Sequence, residues 1–315
     1  MDTPSPPSPL PTRPPELGSR GRWYVRIPVK IFIFLLVTFL VCFPYPGQFA
    51  RHFHRICNMQ EMIEPAAPEL DAWESQLRER IENDPSFAMT PLGPISMPAA
   101  AHAQWIVERF VLENVKYEWD WNLWGSADYM PSVHEMFEKA KEFDGQVKED
   151  CDGRAVMAAS LMKRLGYEPT IVTDFRHVWV TTPEGEWMGP GGPKSMVSTS
   201  QGTQVNWSSA GSNFAISLSY GIAVFPFKRE FIILVTLFLL TLRRGLRPLP
   251  AIIGLILLVQ GLLFMRLGFL APQAVSREVN SWPTWVGLVH VAVGLAACVL
   301  SGSSRGRRIP VKGMI

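Results

Sequence analysis

Cysteine is scarce in this chain: four in 315 residues, too few for a disulfide-built scaffold. Cys42 and Cys298 sit inside apolar runs, where a thiol ordinarily packs, so Cys57 and Cys151 are left for chemistry. Charge is scarce as well. The charged fraction is 18% and the formal net charge is +2, so there is no dense basic face for a polyanion, and nucleic acid is excluded as a partner. No internal repeat marks a solenoid. No small-residue cleavage site of the Ala-x-Ala kind follows the first apolar run, which favours an uncleaved anchor over a signal peptide.

What is abundant is apolar sequence, gathered at the two ends. The hydrophobic fraction of 47% and mean hydropathy of +0.10 are high for a soluble enzyme. Residues 1–28 read as a disordered, Pro-rich tail, and 29–49 as a transmembrane helix, apolar from Ile31, preceded by Arg20, Arg22, Arg26 and Lys30 and closed by Pro44 and Pro46. Residues 221–302 are expected to hold three more: a short one at Phe231–Leu242 that needs Phe225–Phe227 for length, then Pro248–Ala271 and Trp282–Leu300. Arg266 within a span reads as a side chain that snorkels to the headgroups. Arg243, Arg244 and Arg247, and the basic tail 303–315, fall on the cytoplasmic side by the excess of Lys and Arg there. The expectation is an integral, multi-pass membrane protein with about four transmembrane helices, and with the segment 50–220 on the non-cytoplasmic side.

That segment has length enough for one soluble domain. Helices are expected at Asp71–Asn83, Pro98–Val115, Pro131–Phe143 and Cys151–Leu165, the last with Ala155, Ala158, Ala159, Met162 and Leu165 as an apolar stripe and Gly166 as its stop. The period then changes to strands at Thr170–Phe175 and His177–Thr182, a turn at Pro183–Gly185 and a short strand at Glu186–Gly189. Helices followed by antiparallel strands imply an α+β domain.

Cys151 stands where the loop Lys148-Glu149-Asp150 becomes a helix. Open backbone N–H groups and the positive end of the helix dipole should lower its thiol pKa, although Asp150 and Asp152 work against this. His177, on the second strand after that helix, is the candidate base. Packing of Cys151, or a disulfide to Cys57, is the bland alternative. His52, His54 and Cys57 make a weaker metal reading, for which a fourth ligand is missing; Arg51, His52, His54 and Arg55 read instead as headgroup contacts. Trp119, Trp121 and Trp124 suit a substrate groove or a core equally.

The series Cys151-Asp152-Gly153-Arg154-Ala155, Leu161 to Tyr167, His177-Val178-Trp179-Val180 and Gly185-Glu186-Trp187 resembles the transglutaminase-like superfamily. Tyr117–Asp120, Gly125–Tyr129, Pro131 and Glu135 resemble the segment that precedes the nucleophile in bacterial transglutaminase-like cysteine proteinases, so the likeness covers roughly 105–192, the core of the domain. The resemblance implies a papain-like domain with a helix-borne Cys and an antiparallel sheet. It also implies a Cys151–His177 pair working on amide bonds, as a hydrolase of the peptidase kind or by acyl transfer, with backbone N–H groups at the helix start holding the oxyanion. No cofactor and no metal is implied. Substrates would be peptides or proteins, cell-wall peptides among them, and the lipid bilayer would be the other partner. One departure stands out: the family's Asp beyond the Trp is absent from Trp187-Met188-Gly189-Pro190-Gly191-Gly192, and Glu186, Asp174 or a backbone carbonyl would have to replace it. The competing expectation is a catalytically inactive transglutaminase-like binding or scaffolding module.

Overall fold

The structure, a computed structural model, describes residues 23–83, 87–90, 93–96, 98–174, 177–189, 196–199, 202–205, 217–241, 248–267 and 282–301. The Pro-rich tail up to residue 22, the arginine cluster 243–247, the loop 268–281 and the basic tail lie outside them.

The domain is built around one central helix. α7 (Cys151–Arg164) begins behind the N-cap Asp150, whose carboxylate accepts from the Asp152 N–H, and it ends before Gly166 at φ +94°. Its apolar surface is wider than the expected stripe. Val156, Met157 and Leu161 are buried with Ala155, Ala158, Ala159 and Met162, so α7 is wrapped by protein on nearly all sides. α3 (Asp71–Asn83), α4 (Ala99–Asn114) and α6 (Val133–Ala140) pack on one side, joined in the core through Leu77, Val107, Phe110, Val133 and Met136. The other side meets a five-stranded sheet of order β7-β6-β5-β8-β9, from β5 (Thr170–Thr173), β6 (Val178–Thr182), β7 (Gly185–Trp187), β8 (Met196–Thr199) and β9 (Gly202–Val205), every pair antiparallel. β8 and β9, like the separate hairpin β1 (Phe87–Thr90) and β2 (Gly93–Ser96), were not foreseen from the sequence. β3 (Lys116–Tyr117) and β4 (Lys148–Glu149) pair in parallel, with α5 (Asp120–Leu123) and α6 in the crossover, and this pairing aims the chain into α7.

Among the described residues, two helices are long and apolar enough by themselves to cross a membrane: α10 (Pro248–Leu267) and α11 (Trp282–Ser301). They approach closely because glycines face each other: a Cβ on Gly254 would lie 2.8 Å from the Gly294 carbonyl, and one on Gly294 2.7 Å from that of Gly254. The expected count of about four spans is thereby reduced. α1 (Trp23–Cys42) meets the test only as a bent pair with α2 (Pro46–Cys57), the two meeting at 84° across the Pro44–Pro46 stretch, which gives at most three. α9 (Phe227–Thr241) has 15 residues, about 22 Å at about 1.5 Å per residue, against a hydrocarbon core of roughly 30 Å.

α1 and α9 nevertheless lie side by side, with Lys30 donating to the Leu240 carbonyl, and they turn exposed Phe32, Leu35, Phe39, Phe231 and Leu239 outwards. Arg229 at the start of α9 clamps the domain to this bundle, donating to the Val41 carbonyl at 3.1 Å and to that of Gly125 at 2.6 Å. Arg266 does not snorkel. It donates to the Ala223 and Phe225 carbonyls and pairs with Glu230, so it ties the end of α10 to the elbow between α8 (217–224) and α9. The domain, the Leu267 end of α10 and the Phe227 end of α9 therefore share one side.

Candidate functional site

Cys151 and His177 line a single cavity. Cys151 is the first residue of α7, and the backbone N–H of Val178, the residue after His177, lies close enough to its sulfur to favour the thiolate. His177 stands just ahead of β6 rather than on it. Its backbone N–H donates to Asp174 Oδ1 at 2.9 Å, and the Asp174 N–H returns a bond to the His177 carbonyl, so Asp174 holds the residue by two hydrogen bonds. Of the three groups that could replace the absent Asp, the backbone carbonyl is the one on the ring: His177 Nε2 lies 2.6 Å from the Met188 carbonyl oxygen. A carbonyl only accepts, so Nε2 carries the proton and Nδ1 is the basic nitrogen. Met188 is held for this purpose in the left-handed region at φ 60°, with its N–H donating to Glu108 Oε1 at 2.6 Å. Trp179 stacks on the imidazole, centroids 6.3 Å apart.

The electrostatics oppose the expected low thiol pKa. Burial pushes the Cys151 thiol well up, and Asp150, Asp128 and Asp120 add to it, against the single helping bond from Val178. Nor is the helix start open. The Asp152 N–H bonds Asp150 Oδ1 and the Gly153 N–H bonds Asp152 Oδ1, so carboxylates occupy donors that the sequence reading assigned to an oxyanion. The helix dipole is spent on these acids first.

Those acids are the feature that sequence reasoning missed. Asp120, Glu149, Asp150 and Asp152 bring oxygen atoms within 4.8 Å of one another beside Cys151. Asp120 and Glu149 are buried, with Asp120 Oδ1 and Glu149 Oε2 lacking hydrogen-bond partners; their other oxygens take the Tyr129 N–H and Trp124 Nε1–H. Burial and then Asp150 push the Asp120, Glu149 and Asp152 carboxyls well up, whereas Asp128 beside them is exposed and lies 3.6 Å from His52 Nε2. An all-oxygen donor set of this kind suits a hard divalent cation such as Ca²⁺ or Mg²⁺; otherwise the carboxyls hold protons against one another. Gly153 is required here, since a Cβ would lie 2.6 Å from Glu149 Oε2. Only the alternation of acids around Cys151 was visible in sequence; Asp120 and Glu149 join it through β3–β4.

The remaining candidates separate. Cys57 is exposed and all four cysteines are free thiols, so no bridge ties Cys57 to Cys151. His52 is buried, with Nδ1 taking the Met130 N–H, whereas His54 and Cys57 are exposed, so these three do not converge. Arg55 is no headgroup contact: it binds Glu135, the Met130 carbonyl and the Tyr129 hydroxyl, bracing the Ser132–Glu135 capping box of α6. Trp119 and Trp121 line the cavity, edge-on to Tyr220 and Phe225, while Trp124 packs on Tyr129. No family model matches the chain, and neither a curated protein nor a solved structure matches it.

Proposed function

We infer that the protein is a membrane-tethered thiol enzyme of transglutaminase-like kind, in which Cys151 takes an acyl group from an amide and passes it to water or to an amine. The observation that carries this reading is the shared cavity, which Cys151 and His177 both line and in which the Met188 carbonyl fixes the imidazole in one tautomer. A thiol held protonated needs a base at the moment of attack. His177 Nδ1 takes the proton as sulfur adds to the carbonyl carbon, then returns it to the leaving nitrogen. A neutral carbonyl orients the ring but lends the imidazolium no charge, so the pair works more slowly than one backed by a carboxylate. Peptides and proteins, cell-wall peptides included, are the substrates this chemistry admits.

The test uses p-nitrophenyl acetate on the full chain in lipid nanodiscs. The acetyl group should appear by mass spectrometry on Cys151, leave with hydroxylamine, and be absent from Cys57. The second reading is a non-catalytic module, favoured by the raised thiol and the capped helix start. Acetylation at Cys57 alone would establish that one.

We also propose that the domain faces the non-cytoplasmic side. The antiparallel packing of α10 on α11 sets the Leu267 and Trp282 ends toward the domain and the Ser301 end away from it, and Arg305, Arg307 and Arg308 follow Ser301 in the sequence, which supports this reading. In a Cys57→Ser background, an impermeant maleimide applied to intact cells should label Ser276→Cys and spare Ser303→Cys. The opposite pattern would invert the topology.

A further inference from the structure

The cavity that holds Cys151 does not stop at the domain. Its volume is about 770 Å³, and beyond the thiol it descends between α1, α9, α10 and α11, walled by Phe34, Leu234, Leu237, Leu258, Leu262 and Leu295. Leu237 lies ten residues into α9, about 15 Å at about 1.5 Å per residue, and Leu258 is near the middle of α10. The polar groups gather at the domain end: Cys151, His177, Asp120, Asp128, Asp150 and Asp152. A site with chemistry at one end and a dry, hydrocarbon-walled shaft at the other has the shape of a single-chain amphiphile.

We propose that the substrate of Cys151 is a long-chain N-acyl amide drawn from the bilayer, with its carbonyl at the thiol and its hydrocarbon chain in the shaft between the helices. This rests on the reading of Cys151 as a nucleophile. A peptide strand is a poor occupant of the shaft, because its N–H and C=O groups would find no partners on Leu and Phe walls. Water is poor as well, since an apolar void stays dry. A hydrocarbon chain asks no hydrogen bond of those walls. The acids select the other half of the molecule: among the described residues no Lys or Arg lines the cavity to hold an anionic headgroup, whereas the oxygens of Asp120, Asp128, Asp150 and Asp152 would accept from the N–H groups of a leaving amine. The step is balanced as follows. Sulfur bonds to the acyl carbon, the C–N bond breaks, the thiol proton passes through His177 to the amine, and water then cleaves the thioester to a fatty acid and regenerated thiol.

The experiment compares acylation of Cys151 by p-nitrophenyl acetate, octanoate and laurate in phosphatidylcholine nanodiscs. Laurate should exceed acetate by about tenfold or more. Leu234→Trp and Leu237→Trp, which fill the shaft, should each bring the ratio near one, while Ile232→Trp on the exposed face of α9 should leave it as it was. Partition of longer esters into lipid is common to all these variants and so cannot produce the difference. On the unaltered chain, dodecylamine should slow laurate acylation more than ethylamine does, a readout that needs no variant to fold. If Cys151 is acylated without preference for length, or the preference survives both Trp substitutions, the shaft is filled by structural lipid and the proposal falls. If no ester acylates Cys151, the nucleophile reading fails instead.

Discussion

Replacing His177 by Ala is expected to slow acylation of Cys151 by p-nitrophenyl acetate about 10²- to 10⁴-fold near neutral pH, the usual worth of a positioned base. The reason lies in the thiol. Burial, then Asp150, keep it protonated well above the range of an ordinary cysteine, and the Val178 N–H is too little to reverse this. In the native chain the imidazole removes the proton during attack, so the rate should already be high near neutral pH. In the variant it should follow the thiol itself and recover only at high pH. Iodoacetamide gives the control: exposed Cys57 should alkylate faster than Cys151 at neutral pH and be indifferent to His177. Equal acylation rates for the two chains across the pH range would remove His177 from the chemistry and leave the binding-module reading.

The second large effect is on stability. Asp120, Glu149 and Asp152 are buried with carboxyls pushed well up, by burial first and Asp150 second. In the unfolded chain the same groups titrate near 4. Between those limits the native state holds more protons than the unfolded state, so stability falls as pH rises. The contribution is whole below about pH 4 and is lost as pH climbs above that toward the raised native values. The full chain in nanodiscs should therefore melt higher at pH 5 than at pH 8. Asp150→Asn removes the charge common to all three, and Asn still serves as an N-cap. It should flatten the dependence and raise the midpoint at pH 8 by about 2–4 °C, the equivalent of roughly 1 kcal/mol. The same variant should bring the Cys151 alkylation profile to lower pH. A midpoint that rises with pH in the native chain would mean that the acids are balanced by a cation held between them.

Glu108 shows how far the site reaches beyond its two reactive residues. It sits on α4, its carboxyl raised by burial and partly restored by the Met188 N–H, and through that bond it holds a strained residue whose carbonyl points at His177. Nothing in the local sequence around Trp187 announces this. An Asp would have been readable there; a backbone oxygen belongs to every residue and acquires meaning only from where the chain is bent.

What the sequence determined by itself was local. An acidic loop before a small-residue run, with Gly166 after it, is enough to start and stop α7, and the change of period at Thr170 is enough to begin a sheet. Asp71–Asn83 could be delimited for the same reason, and two long apolar runs could be recognised as helices able to cross a bilayer. The tertiary structure decided everything that depends on distance along the chain. Parallel pairing of Lys116–Tyr117 with Lys148–Glu149 carries Asp120 and Glu149 to the thiol, and so turns a helix start expected to lower its pKa into an acidic pocket that raises it. Arg229 and Arg266 seat the domain on the helices and leave a shaft that no single segment encodes. Charge repulsion and desolvation act through space and not along the chain, so the character of Cys151 could be settled only by its neighbours.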